Sequence, residues 1–290
     1  MPLAQLVKES PPDYIRHDQL FKELIHTFFE EFLEAFFPEV HPFVDFHDLK
    51  PLSEEVFTDL IEGETRKLDI VIETKLKGKE SLIIIHVEPQ STSQTYFHKR
   101  MYHYFSLLYN KYRKPIIPIA VFSYEENWEK NQYTMVFPFF HVLTFNYLTL
   151  HLKKKNWRDY IKANNPAAAA LLSKMGYTEE EKIQVKKEFL KMLVKMELDP
   201  ARQRLVYGFF ERYLILTEQE EEQLMEEINY MDEADRIKIL EIPISYEERG
   251  IEKGIKKVAL GMLKKGLSIE LIAEVTNLEK KEIEELKRKL

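Results

Sequence analysis

Residues 67–90, KLDIVIETKLKGKESLIIIHVEPQ, decide how this chain folds. Two apolar, β-branched runs, 68–74 and 82–87, flank the polar turn Lys77-Gly78-Lys79-Glu80, the pattern of a β-hairpin in which glycine takes a turn position needing positive φ. A turn centred on Gly78 and Lys79 sets Asp69 directly opposite Glu88, and Gln90, two residues on, shares their face. Two carboxylates and an amide then converge at the ends of apolar strands. Unpaired charge is costly to bury, and a divalent cation held between the acids is one way to balance it.

Upstream, apolar residues at 20, 21, 24, 25, 28, 29, 32, 33 and 36 recur at helical spacing, with Asp18 as the N-cap and Pro38 as the stop. His17 and Glu23 read as surface or rim groups. Residues 40–46 have the composition of a first strand, and 49–60 read as irregular or briefly helical. Downstream, Ser91-Thr92-Ser93-Gln94 can cap a helix over 96–112 whose apolar stripe is Phe97, Met101, Tyr104, Phe105, Leu108 and Tyr112. Tyr96, Arg100 and His103 lie off that stripe, near the end of the second hairpin strand, where they could meet a substrate phosphate. For Arg100 a structural ion pair is an equal alternative. Two more strand-like runs, 115–122 and 133–150, are separated by the polar stretch 123–132 and interrupted by Pro138. The order helix, strands, helix, strands describes an α/β domain with one mixed sheet and helices packed on it.

After Asn164-Asn165-Pro166 the strand signals cease. Thr178-Glu-Glu-Glu181 caps a helix to about Met196, Pro200 starts another, and Thr217-Glu-Gln-Glu220 is a capping box before an acidic helix ending near Tyr230. The acid run 218–222 has no histidine neighbours and reads as a solvated helix face. The tail repeats Gly-Ile units, breaks at Gly266, restarts at the cap Ser268, turns at Thr276-Asn277 and ends in a last helix. Two helices joined by a tight turn resemble a helix-turn-helix, but the last one carries about as many acids as bases. A packing or self-association module, giving a homo-oligomer through the C-terminal helices, is the preferred reading over a DNA reader. The expected organisation is 1–165, an α/β domain; 166–245, a helical region; and 246–290, a helical tail.

Composition narrows the function classes. With 290 residues, 44% hydrophobic and 31% charged, the chain has the make-up of a folded globular protein of one or two domains. Its net charge of −7 gives no overall basic footprint, so nucleic acid would have to bind at a local patch. The absence of cysteine excludes disulfides, thiolate metal sites and a thiol nucleophile. No apolar leader and no run of about 18 apolar residues is present, so the cytoplasm is the expected location and no membrane partner is expected.

Several pieces taken together carry a resemblance: His17-Asp18-x-x-Phe21-Lys22, Arg66-x-x-Asp69-Ile-Val, Glu88-x-Gln90-Ser91-Thr92, then Arg100 and Tyr104, and the Gly-Ile tail. In this order and spacing they resemble the recombination-promoting nuclease / putative transposase family, within the PD-(D/E)XK nuclease superfamily. The resemblance covers roughly the first 150 residues by motif, and the tail by texture. It implies a restriction-endonuclease-like core with a mixed central sheet flanked by helices, and a hydrolase that cuts DNA with Mg²⁺, for which Mn²⁺ substitutes. Asp69 and Glu88 would be the metal-binding carboxylates, and Gln90 stands where the superfamily usually has lysine. Asp18 joins the catalytic set if it orients a water instead of capping, and Arg66, Arg100 and Tyr104 would contact substrate. Gln90 cannot supply a lysine's charge but can hydrogen-bond a water or phosphate. A catalytically silent domain that binds nucleic acid or protein and serves assembly is the alternative.

Overall fold

The computed structural model describes residues 11–52, 70–88, 97–123, 131–242, 255, 258–276, 278 and 280–288. The protein is mixed α/β, with a five-stranded mixed sheet, flanking helices and a helical C-terminal region. The described residues up to Asn229 form one compact unit and those from Tyr230 onward a second.

The chain enters through α1 (Pro11–Thr27) and α2 (Phe29–Phe36), which bury one continuous apolar face including Phe21, Leu24, Ile25, Phe28, Phe32 and Leu33. Asp18 lies inside α1, seven residues after its first residue, so it is not the N-cap that local preference suggested. Glu23 is exposed, as its place between apolar positions implies. The expected strand at 40–46 is instead a 3-10 turn, His41–Phe43, followed by a single bridge from Val44 to Leu76. Pro42 cannot donate to a ladder, which disfavours a strand there. The first strand is the two-residue β1 (Lys50–Pro51).

The hairpin forms as β2 (Ile70–Leu76) and β3 (Lys79–Glu88), but one turn position earlier than its glycine alone suggested. The loop residues are Lys77 and Gly78, both at positive φ, the requirement of the turn type whose twist suits a two-residue hairpin. Lysine tolerates this strained conformation because tertiary contacts hold it. Its N–H donates to the Phe43 carbonyl at 3.1 Å and its ammonium lies 4.0 Å from the centre of the Phe43 ring. Leu76 therefore faces Lys79 and Ile70 faces Ile85, a ladder shifted by two residues from the one that pairs positions 69 and 88. An even shift leaves the parity of each strand intact, whereas a one-residue slip would exchange its faces.

After α3 (Phe97–Tyr112), β4 (Ile116–Phe122) pairs parallel to β3 and β7 (Leu148–His151) parallel to β4, giving the order β1-β2-β3-β4-β7. The run 133–150 does not all join this sheet. It divides into a separate hairpin, β5 (Gln132–Phe137) and β6 (Phe140–Asn146), with Pro138 in its turn, before β7 returns. Helix α3 covers one face of the main sheet, with Tyr104 and Leu108 on Val71 and Ile84, and Phe97 and Met101 on Ala120 and Phe122.

The helical region follows its caps closely. Asn165 caps α4 (Pro166–Leu171), both bonds of the Thr178–Glu181 capping box are made before α5 (Lys182–Lys195), and Asp199 caps α6 (Pro200–Tyr213). The Thr217–Glu220 box opens α7 (Glu218–Asn229). Phe21 of α1 meets Phe209 of α6 edge-on at 4.8 Å, and α2 packs on α4. Glu218 and Glu222 are exposed, as expected of a solvated face, but Glu221 turns inward. Together with Glu211 it holds Lys186, whose side chain is 1% exposed, each at 2.8 Å. In the second unit, α8 (Glu233–Leu240) is followed by a helical stretch at 258–264, then α9 (Ile269–Thr276) and α10 (Lys280–Arg288). Ala259, Ile272 and Ile283 form the small core of the last three, and Gly266 at φ 76° makes the break between the first two.

Asn165 does two jobs. Its carbonyl accepts from the Ala168 N–H at 2.9 Å, and its amide donates to the Glu31 carbonyl of α2 at 2.8 Å. Replacing it by alanine removes a cap, about 1 kcal/mol, and the amide's bond to the Glu31 carbonyl, about 1 kcal/mol more. Asn165→Ala is expected to lower unfolding stability in urea by about 2 kcal/mol; a loss under about 0.5 kcal/mol would contradict the double role.

Candidate functional site

Strand β3 is apolar on both faces because both are covered. Leu82, Ile83, Ile84 and Ile85 are all buried, the signature of a central strand with a parallel neighbour. This continuous run carries the chain to Glu88 at the strand's last position, beside Phe122 at the end of β4. Phe122 is in turn beside His151, the last residue of β7. The row Glu88, Phe122, His151 thus marks the carboxyl ends of three parallel strands, where open α/β sheets usually place ligands.

The described side chains of this row face α3. Phe122 stacks on His151 with centroids 4.6 Å apart and packs on Phe97 at 5.0 Å. Val71 in β2 is also on the α3 side. The first turn of α3 brings Arg100 to the same end, its guanidinium 5.4 Å from the centre of the Phe97 ring. His98 lies beside Tyr133, with ring centroids 5.6 Å apart, and Ser123 is buried directly after β4.

Among the sequence candidates, Glu88 and Arg100 are thus brought to one end of the sheet. Tyr104 is 3% exposed and packed between α3 and the sheet, the place its position on the apolar stripe dictates, so it is a core residue and not an exposed substrate contact. His103 is exposed on α3. Arg66, Asp69, Gln90 and Tyr96 lie outside the described residues, as does the Asp69 half of the proposed pairing. His151 escaped the sequence reading. Its signal was the alternation Leu148-Thr149-Leu150-His151 ending a strand at the same level as Glu88 and Phe122. Among the described residues, no group of three or more histidines or acids is arranged to hold a metal ion.

A second polar cluster sits at the opposite, turn end of the hairpin. Lys114 bridges Glu73 at 2.6 Å and Glu80 at 2.9 Å, and Asp48 pairs with Lys75 at 2.8 Å and Lys50 at 3.4 Å. Thr74 ties the cluster down by donating to the Asp45 carbonyl at 2.9 Å. The three acids Asp48, Glu73 and Glu80 are thus matched by the three lysines Lys50, Lys75 and Lys114. The hydrogen bond from Lys75, then the charge of Lys50, holds the Asp48 carboxyl below the usual range, and Lys114 does the same for Glu80. Lys114 itself is raised, first by Glu73 and then by Glu80. This cluster anchors the hairpin.

No helix among the described residues is long and apolar enough to cross a membrane. Comparison of the chain with protein-family models, with curated proteins and with solved structures found no match.

The depressed Glu80 carboxyl stabilises the fold above its ordinary titration range, and that contribution is lost as pH falls through the lowered value. Lys114→Met is expected to move the Glu80 midpoint, read by carboxyl-carbon NMR, up toward about 4.3. A midpoint unmoved by the substitution would show that Lys114 is not the cause.

Proposed function

We propose that this protein is a metal-dependent endonuclease that hydrolyses phosphodiester bonds in DNA, with a restriction-endonuclease-like core and the recombination-promoting nucleases as its relatives. The observation that carries the reading is the position of Glu88, the last residue of the central strand and level with Arg100 at the carboxyl end of the parallel strands. Asp69 is bonded to Ile70, the first described residue of the paired strand β2. Two carboxylates are an oxygen donor set of the kind Mg²⁺ takes, alongside waters and substrate phosphate. Asp69 and Glu88 are therefore the residues to hold the ion. When bound, Mg²⁺ supplies Lewis-acid stabilisation of phosphate charge and an activated water.

The remaining roles belong to the chain itself. Gln90 hydrogen-bonds the attacking water or a phosphate oxygen through its amide and adds no charge. Arg100 and Arg66 bind phosphate oxygens, for which a planar guanidinium with several donors is suited. Asp18 is free of a capping duty, since α1 starts at Pro11, and is assigned to orienting water. Because Gln90 stands where a lysine is usual, a catalytically silent domain that binds nucleic acid or protein is the second reading. Titration with Mn²⁺ separates the two, since a silent domain of this kind need not bind metal at millimolar concentration.

Supercoiled plasmid incubated with the protein and Mg²⁺ is expected to be nicked or linearised, with chelation by EDTA abolishing the reaction. Asp69→Ala and Glu88→Ala should each lower the rate by at least about 100-fold, more than the loss typical of outer-shell partners of a metal ligand. Cleavage that survives both substitutions would remove these residues from the centre.

A further inference from the structure

The hairpin β5–β6 has a feature that neither the sheet nor the proposed chemistry uses. Its residues 132–146, QYTMVFPFFHVLTFN, include no Lys, Arg, Asp or Glu. The base of the hairpin is seated on α3, where Tyr133 stacks on Tyr102 at 5.3 Å and Phe145 packs on Phe105 at 4.9 Å. Tyr133 and Met135 alternate with exposed neighbours along β5, and past a bulge between Met135 and Val136 the hairpin stays apolar to its tip. There Phe137, Phe139 and Phe140 are 51%, 87% and 60% exposed, with Val136 and Val142 beside them. The rings of Phe137 and Phe139 stack at 5.9 Å, which gives the tip a defined aromatic surface.

We infer that this hairpin tip is a self-association surface, which a second copy of the chain covers with its own tip about a two-fold axis. Area is the first argument. A phenylalanine carries roughly 150–250 Å² of buriable surface, so the exposed fractions of the three rings and two valines come to about 500 Å² per copy. Two copies would bury about 1,000 Å², the lower bound of a specific interface. A contiguous apolar patch of that size is at the upper end of what a monomer exposes, and patches of this kind are often functional.

Charge selects the occupant. Nucleic acid is bound through lysine and arginine, and the hairpin has neither. An anionic membrane surface favours basic residues on the inserting element, which this hairpin lacks, and the chain as a whole carries −7. For two copies that repel each other elsewhere by their net charge, this neutral surface is where close approach costs least. The strands add a further match. Among the described residues each of β5 and β6 pairs on one side only, without the charged side chains that commonly protect such edges. An isologous contact needs only a surface complementary to itself, and an apolar, uncharged tip is one. This inference is independent of the nuclease reading.

Sedimentation velocity on the full chain between about 1 and 100 µM is expected to show a species of twice the chain mass. The double substitution Phe139→Asp with Phe140→Asp should weaken association at least tenfold while leaving the circular-dichroism melt unchanged. Val275→Asp, at an exposed position of the tail helix α9, should leave association intact. A wild-type protein that stays monomeric throughout, or a dimer indifferent to the hairpin change and lost with Val275→Asp, would overturn the inference. Flotation of a monomeric wild type with uncharged phosphatidylcholine vesicles would overturn it too.

Discussion

The constraint on which the rest depends is the double pairing of β3. On one side it takes β2 antiparallel through a two-residue turn, and on the other β4 parallel. A strand so placed has no free edge and no solvent face, which is why residues 82–85 are Leu-Ile-Ile-Ile. Fixing both ladders also fixes how far along the sheet each residue stands. Glu80 falls among the lysines at the turn end, and Glu88, about 26 Å further along by strand rise, falls at the carboxyl end beside α3. Two acids eight residues apart on one strand thus stand at opposite ends of the sheet. The first is neutralised by Lys114 and serves the fold; the second is the candidate for chemistry.

Buried polar groups connect the helices to one another. Asn165 joins the start of α4 to the backbone of α2, and Lys186 gathers Glu211 of α6 and Glu221 of α7 around α5. Such groups add less net stability than apolar packing of the same volume, but each is satisfied by only one arrangement of its helices. Removing a partner leaves a desolvated charge or amide, so alternative packings are penalised. In this way the α1–α2 layer, which carries Asp18, is held against α4 and α6.

What could be read from sequence was whatever local chemistry decides. The hairpin, the apolar stripe of α3, the capping boxes at Thr178 and Thr217, the Asn165 boundary and the break at Gly266 each announce themselves within a few residues. Tertiary contacts decided the rest. The turn settled on Lys77-Gly78 because Phe43, 34 residues upstream, holds Lys77 by its carbonyl and its ring. Nothing local distinguishes a strand of the main sheet from a strand of the separate β5–β6 hairpin. Glu221 looks like its exposed neighbours Glu218 and Glu222, and its inward turn was signalled only from afar, by a lysine at 186 among the buried positions 185, 189, 190 and 193 of α5. At the candidate site, Glu88 was legible as an acid ending an apolar run. Its row partner His151 was not, because the pairing of β7 with β4 spans a long stretch of chain.

If Asp69 and Glu88 hold a catalytic cation, a metal ion offered to the protein must find both carboxylates. A crystal structure of the protein soaked in Mn²⁺, with the metal located by anomalous scattering, tests it most directly. A peak is expected within bonding distance, about 2.2 Å, of carboxylate oxygens from both Asp69 and Glu88. A structure in which the two carboxylates point to opposite faces of the sheet, or in which manganese binds elsewhere and leaves them empty, would contradict it.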